Sequence, residues 1–486
     1  MSNILRKLSL FLICAVFLNL TGCGLVVINY DKFGNSSDTA TDTLSSETES
    51  DEPETTFEPV KNDYSQKIKE NLSSITDMKY QNTVFKIASP DTSSLNPDGG
   101  LEFISEVAHE RNKRVSAKHS ISIVSSKVDY MSLYEEVNTA VNSGMYYSDL
   151  LMLPQDMVGS FAVNGLLLNL RSMPTLNFEA SYFNQSSVGA GSAGFNSYAI
   201  SGYASIYPYS LPAVFFNKAL CDSAGVDMYT LVESGEWTWD KFFIISSSAA
   251  TTDGVFSWGT TDLGDAVYES VFVSCGHRIV DSGIMQVPSL AFDADSSAST
   301  QYILKTLYND AGSIHNHAKS IEFLSNGWGY FLIDKLSSIT QLRGASSDWG
   351  IAPIPKYSAS DRYYSLAGSD SLMFTCPVTV STPDKSATIL KSLNAASEGV
   401  VKDGYISYIQ YNYLRDNNSA NMLDHIFDNI VYDFSYTYGN LYTEIAYGTY
   451  DLIRTSAMPG EDISGLINYR SASLERVFNS QFGLSN

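Results

Sequence analysis

Short apolar runs that read as strands alternate with segments whose apolar residues recur every three or four positions, in two successive sets. "TVFKIASPD" carries a strand-like run from Val84 to Ala88 that breaks at Ser89-Pro90-Asp91, and Leu101, Ile104 and Val107 then recur at helical spacing up to about Arg114. "SISIVSS" is strand-like again. "MSLYEEVNTAVNSG" places Met131, Tyr134, Val137 and Val141 at helical spacing before Gly144 as a stop, and "SDLLMLP" supplies another apolar run. Strand alternating with helix in this way points to a mostly parallel sheet with helices on its faces. Farther on, "TWDKFFIISSSA" reads as a helix capped by Thr238 and "GVFSWGTTD" as a strand running into a polar loop. "TQYILKTLYNDAG" is a further helix; "WGYFLID" and "WGIAPIPK" are strands. From Asp384 onward helical signals dominate, and no repeat of fixed period occurs.

The amino terminus sets the address. Arg6 and Lys7 precede an apolar run from Leu8 to Leu20, which meets Leu20-Thr21-Gly22-Cys23. That is an export signal, too short for an ordinary bilayer span. Small residues before a cysteine resemble the lipobox of bacterial lipoproteins, which implies that Cys23 becomes the lipid-modified first residue; a plain signal peptide or anchor with an incidental cysteine is the alternative. From Gly34 to Glu58 there are eight acidic residues and no Lys or Arg, a composition that cannot build a core. Residues 24–75 therefore read as a disordered acidic tether, spanning on the order of 40 Å as a random coil. The net charge of -23 comes with no basic cluster to neutralise phosphates, which argues against nucleic acid. Cys221, Cys275 and Cys376 are too few and too widely spaced for a disulfide framework or a metal site, and read as small buried residues.

One stretch ties the two sets together. Tyr207-Pro208 and Tyr209-Ser210-Leu211-Pro212 form an extended, proline-broken segment that runs into Phe216-Asn217-Lys218 and a short helix stopped at Ala224-Gly225. Thr238-Trp239-Asp240, Gly327-Trp328-Gly329-Tyr330 and Gly350-Ile351-Ala352-Pro353-Ile354-Pro355 follow in order. Together, over about Val84 to Pro377, these elements resemble the extracellular solute-binding proteins of ABC importers, especially the carbohydrate-binding group that includes maltose-binding protein. Trp328 departs from the family, which has a small or basic residue there.

The resemblance implies an α/β, two-lobed, periplasmic-binding-protein-like clamshell, each lobe a mostly parallel sheet flanked by helices. Residues 76–205 plus 366–405 would form lobe 1 and residues 206–365 plus 406–486 lobe 2, with ligand in the cleft between. It also implies a non-enzymatic, monomeric protein without a cofactor, on the outer face of the bacterial cytoplasmic membrane. Such a protein hands a small solute, a sugar or oligosaccharide, to an ABC permease and its ATPase. A surface enzyme acting on glycans and a sensor-coupled solute receptor are the alternatives.

Sugars need flat aromatic faces and planar polar groups, and the chain has 31 Tyr against 30 Lys plus Arg. Because ligands in open α/β sheets sit beyond the carboxyl ends of strands, the candidate contacts are Asp91, Gln155, Asp156, Tyr207 and Tyr209. Trp258, Thr260, Asp262 and Trp328 would come from lobe 2, and Ser369 and Asp370 from the return crossover. Each loop polar residue could instead be a helix cap or turn. Trp239 is assigned to the core, and the ten tyrosines from Tyr405 to Tyr450 receive no individual role. "GAGSAG", Gly189 to Gly194, satisfies G-x-G-x-x-G, but it lacks the strand before and helix after that phosphate binding needs, so it reads as a loop. His315-Asn316-His317 lacks a third metal ligand at a known spacing.

Overall fold

Two separate sheets, joined by two strand-like crossovers, organise the folded chain. The computed structural model describes residues 64–96, 102–441 other than 174, 252–253, 261–264, 279, 292–297 and 316, then 455 and 463–482. Cys23 and the signal segment lie outside the described residues. The expected tether ends before residue 75, because Tyr64–Leu72 form a helix, α1, that buries Ile68 and Leu72. Two apolar residues four apart make a single stripe on one face, and Asn71 Nδ2 fixes it by donating to Glu398 O at 2.8 Å.

In the first sheet, β1 (Thr83–Ser89) leads through α2 (Glu102–His119) to β2 (Ile121–Lys127), and α3 (Tyr130–Asn142) leads to β3 (Leu150–Pro154). Asp129 caps α3 by accepting from the N–H groups of Met131 and Ser132, and Gly144 at φ +64° ends the helix where a side chain would be strained. β1 pairs in parallel with both β2 and β3. After α4 (Gln155–Val163) and α5 (Gln185–Ala190), the chain crosses over through residues 201–211. The glycine-rich stretch is not the expected loop, since Gly189 lies within α5 and Ser192–Ala193 form a short strand; Gly191, the C-cap between them, lies so close to Ala199 O that a Cβ would collide with it.

The second sheet starts with β4 (Pro212–Asn217), followed by α6 (Lys218–Ser223) and α7 (Trp239–Ser246). Next come β5 (Phe256–Thr260), α8 (Asp265–Ser274), β6 (Ile314–His315), β7 (Gly329–Lys335) and β8 (Trp349–Ala352), in the spatial order β6-β5-β7-β4-β8. β5 is parallel to β6 and β7, whereas β4 leaves the crossover against the direction of both its neighbours, β7 and β8. The return passes β9 (Ser365–Leu366) and ends in β10 (Leu372–Thr375), antiparallel to β3, giving β10-β3-β1-β2.

Helices α9 (Pro383–Ser397) and α10 (Val401–Asn412) pack on α2, and α11 (Asn417–Phe427) packs on β8. β11 (Ile430–Val431) then pairs with β9, and α12 (Phe434–Tyr438) lies on α4. Among the described residues, no helix is long and apolar enough to cross a membrane.

Side chains alternate across a strand, and here both faces are covered, so strands read as unbroken apolar runs. All residues of "LLMLP" and "PAVFFN" are buried. Leu151, Leu153, Val214 and Phe216 join one apolar cluster, while Leu150, Met152, Ala213 and Phe215 join the other. Trp239 is in the core as expected, its Nε1 donating to Ser274 Oγ at 2.9 Å. Trp237, fully buried, donates Nε1 to Pro353 O at 2.7 Å and lies 5.6 Å from the Phe331 ring. Trp237→Ala is therefore expected to cost about 3–5 kcal/mol, read as a lower denaturation midpoint in urea; a loss below about 1 kcal/mol would show that this side of lobe 2 is not tightly packed.

Candidate functional site

The carboxyl ends of β1 and β3 and both crossovers come together at one edge of the first lobe. At the end of β1, Asp91 Oδ1 accepts from Ser93 N at 2.7 Å, an Asx turn that orients the carboxylate while leaving Asp91 only half-buried. At the end of β3, α4 begins after Pro154 with no side-chain cap. Its first two N–H groups, Gln155 and Asp156, donate to Ser371 O at 2.9 Å and Ser369 O at 3.0 Å of the return crossover. Ser210 Oγ of the outgoing crossover meets Ser371 Oγ at 2.7 Å. Close approach requires glycine at position 368, where a Cβ would lie 2.7 Å from Asp370 Oδ1 and 2.9 Å from Ser210 Cβ.

Charge at this edge is one-sided. Burial, and then the neighbouring Asp370 carboxylate, push the Asp156 carboxyl up to about 6, against a weaker opposing hydrogen bond from Tyr130. The Tyr130 hydroxyl lies 3.4 Å from both Asp156 oxygens. Asp370 Oδ1 is shut off from solvent and has no hydrogen-bond partner among the described residues. Among the described residues no ion pair reaches Asp91, Asp156 or Asp370. Such an edge accepts hydrogen bonds from hydroxyl or amino groups and repels anions. No group of residues able to hold a metal ion occurs among the described residues.

Aromatic rings of the outgoing crossover share this edge, Tyr209 near Asp91. Tyr207 and Tyr209, on either side of Pro208, meet edge to face with ring centroids 5.9 Å apart. Burial raises the Tyr209 phenol far above its usual range, and the Tyr405, Tyr408 and Tyr413 phenols and the Asp91 carboxylate add to the shift. Tyr405 is fully buried on α10, its hydroxyl 3.4 Å from Ser93 Oγ. Behind it the fully buried Arg111 donates to Leu95 O at 3.2 Å and Ser397 Oγ at 3.3 Å; burial lowers its guanidinium to about 10.

Of the expected contacts, the structure thus gathers Asp91, Asp156, Tyr207, Tyr209, Ser369 and Asp370 at one edge. Gln155 does not belong with them as a ligand contact: it is fully buried, with Nε2 donating to Gly368 O at 3.1 Å and Oε1 accepting from Thr437 at 3.3 Å. Trp258 is 1% exposed within β5, packed into the apolar cluster, and has no free face for a ring. Thr260 is equally enclosed, its carbonyl accepting from Ser320 Oγ at 2.8 Å. Trp328 is exposed, but it precedes β7 at the end opposite the crossovers. Seven strand residues separate it from that edge by roughly 20 Å. Asp262 lies outside the described residues. Tyr130 was missed, although it opens the helix that follows β2 and the strand-end rule already pointed there.

The model of the bacterial extracellular solute-binding protein family matches residues 111–403. The chain belongs to that family. No curated protein matches the sequence significantly. Solved structures share the two-lobed fold of solute-binding proteins at low identity. The GacH receptor of Streptomyces glaucescens, solved unliganded and with acarbose, aligns at TM-score 0.51 and 13% identity, covering 83% of this chain and 100% of that one. A cyclic α-maltosyl-1,6-maltose binding protein from Arthrobacter globiformis aligns at 0.55 and 14% identity, covering 82% and 100%. UgpB from Mycobacterium tuberculosis, in complex with glycerophosphocholine, aligns at 0.50 and 14% identity, covering 82% and 98%. At such identities the likeness establishes the fold alone.

The raised Asp156 carboxyl has a signed consequence. An unfolded aspartate ionises near pH 4 and the folded one near 6, so between these values the folded state holds the extra proton and loses stability as pH rises. Asp156→Asn is expected to stabilise the solute-binding protein at about pH 7.5 and to lose that advantage at about pH 4, by denaturant unfolding; an equal effect at both pH values would contradict the raised carboxyl.

Proposed function

We propose that this protein is a lipid-anchored receptor that captures a sugar or oligosaccharide between its lobes and delivers it to an ABC permease and its ATPase. The observation that carries the reading is the edge where Asp91, Asp156, Asp370 and Ser369 stand beside Tyr207 and Tyr209, hydrogen-bond acceptors next to aromatic faces. Hydroxyl groups that lose water need the first, and the C–H faces of a sugar ring need the second. Solved relatives of the same fold in complex with acarbose or maltotetraose support this ligand class. A micromolar dissociation constant requires about -8 kcal/mol, within reach of a few stacked rings and hydrogen bonds.

The lobes act as jaws. A ligand that touches both favours the closed arrangement only through its differential affinity for that state, so closure reports occupancy to the permease. Cys23 would carry the lipid, residues between it and α1 would form the acidic tether, and the protein would act as a monomer on the outer face of the cytoplasmic membrane. Several acyl chains would be needed for stable anchoring.

A second reading has one specific observation behind it. Asp156 and Asp370 are neighbouring carboxyls, one of them raised to about 6, as a general acid and its partner would be in glycoside hydrolysis. The membership in a family of binding proteins favours capture over cleavage.

A thermal-shift screen against a carbohydrate library, followed by calorimetry on the hits, tests the proposal. One-to-one saturable binding with the sugar recovered unchanged is expected; cleaved product would instead establish the enzyme. Asp370→Asn should weaken the best ligand about tenfold or more without lowering the melting temperature, since a hydrogen bond to a charged group is worth about 1.5–3 kcal/mol. Cys23→Ala should release the protein from membranes into the medium; retention in the membrane fraction would remove the lipid anchor from the account.

A further inference from the structure

Gln155 is buried at the junction of three segments, and its bonds suggest what it does in place of touching ligand. The return crossover makes a tight turn, closed by Ser371 N donating to Gly368 O at 2.9 Å. Three of its carbonyls are bound to the start of α4: Ser369 O and Ser371 O by the main-chain N–H groups of Asp156 and Gln155, and Gly368 O by the Gln155 side chain at 3.1 Å. The turn carries Asp370 and the helix start carries Asp156, so these bonds fix the separation of the two carboxyls.

The other end of the Gln155 amide is held from the C-terminal part of the chain. Thr437 Oγ1, on α12, lies 3.3 Å from Gln155 Oε1. With an acceptor, Gly368 O, at one end of the amide and a hydroxyl at the other, only one orientation avoids opposing two oxygens. Thr437 belongs to a strap, residues 430–438, that reaches both crossovers. Val431 O accepts from Ala367 N at 2.8 Å on the return side, and the Tyr432 hydroxyl meets Ser201 Oγ at 2.7 Å on the outgoing side. Asn184 Nδ2 of lobe 1 donates to Ile430 O at 2.8 Å, and the Tyr438 hydroxyl to Gly191 O at 3.2 Å. Val273, Leu366, Val431 and Tyr436 form a small apolar cluster under it, bringing α8 of lobe 2 into contact with the strap.

We propose that Gln155 is a positioning residue which holds Asp370 against Asp156, and that Thr437, through the Gln155 amide, couples this alignment to the C-terminal strap and so to both crossovers. The coupling gives the strap control over the ligand-facing carboxyls from a position that touches no ligand. It deepens the reading of the site as a carbohydrate site, and rests on that reading only for the ligand arm of its test.

The test uses the full chain and three substitutions. Gln155→Met removes both amide bonds at nearly constant volume, Thr437→Val removes the hydroxyl that reaches Gln155 Oε1 and, at 3.5 Å, Asp433 O, and Thr437→Ser keeps that hydroxyl. In hydrogen–deuterium exchange, Gln155→Met and Thr437→Val are expected to speed the amides of Asp156 and Ser371 about tenfold, with β7 unchanged and Thr437→Ser like the parent. The stability gain of Asp156→Asn at about pH 7.5 should shrink in the Gln155→Met background by the part that Asp370 contributes, the part due to burial remaining, because Asp370 is no longer held beside it. Unchanged exchange in Thr437→Val, or an undiminished gain in the double variant, would overturn the proposal even if Gln155→Met fails to fold. In the ligand arm, maltotetraose affinity should fall about tenfold in Thr437→Val and recover in Thr437→Ser. A parent protein that ignores every sugar while the exchange result holds would sink the carbohydrate reading and leave this one standing.

Discussion

A helix start that cannot cap itself depends on its surroundings, and here those surroundings are the return crossover. Pro154 offers α4 no side-chain acceptor, so the first N–H groups of the helix are satisfied by carbonyls of the return crossover. Buried N–H groups left without partners cost about 1–3 kcal/mol each, so the turn and the helix are held as a unit. The outgoing crossover joins the same unit through Ser210 and Ser371, and Gly368 allows the two strands to pass in contact. The carboxyls of this edge, Asp156 and Asp370, inherit their position from that arrangement.

Its consequence is an edge with unbalanced charge. Asp156 lacks a basic partner among the described residues, and burial together with the neighbouring Asp370 raises its pKa, yet the fold keeps these carboxyls together at the edge that also carries Tyr207 and Tyr209. Elsewhere in the chain acidic residues are matched in the ordinary way. Asp149 is buried against Lys385 at 2.9 Å, and Asp416 meets Lys218 at 2.7 Å. The contrast separates carboxylates paired within the fold from the edge carboxylates, which under the proposed function would meet hydrogen-bond donors brought by a solute.

Much of this was legible from periodicity. The strand runs at Val84 and "LLMLP", the helix ending at Gly144 and the Thr238 cap all form where spacing and punctuation placed them. The strand-end rule also put Asp91 and Asp156 just beyond the carboxyl ends of β1 and β3, where the structure has them, because it concerns backbone polarity and topology, which short motifs reveal. It failed where the outcome depends on packing between distant segments. Gln155 follows a strand end, but Thr437, far along the chain, turns it inward. Trp258 sits in a run that reads as strand either way, and only the helices stacked on both faces of β5 decide that its ring is core. Trp328 was placed by its motif neighbours without knowing that β7 runs toward the crossovers, which puts its first residues at the wrong end. The part played by Tyr405 was invisible for the same reason: α10 has to fold back onto α2 before that ring can meet Ser93.

Two lobes held by two crossovers and a strap should close around cargo and open without it, and this is the claim on which the transport reading rests. Small-angle X-ray scattering of the protein with and without the strongest sugar from a library screen tests it most directly. The account predicts a smaller radius of gyration in the sugar-bound protein, reversed when the sugar is dialysed away. Scattering curves that superimpose at saturating sugar would contradict it.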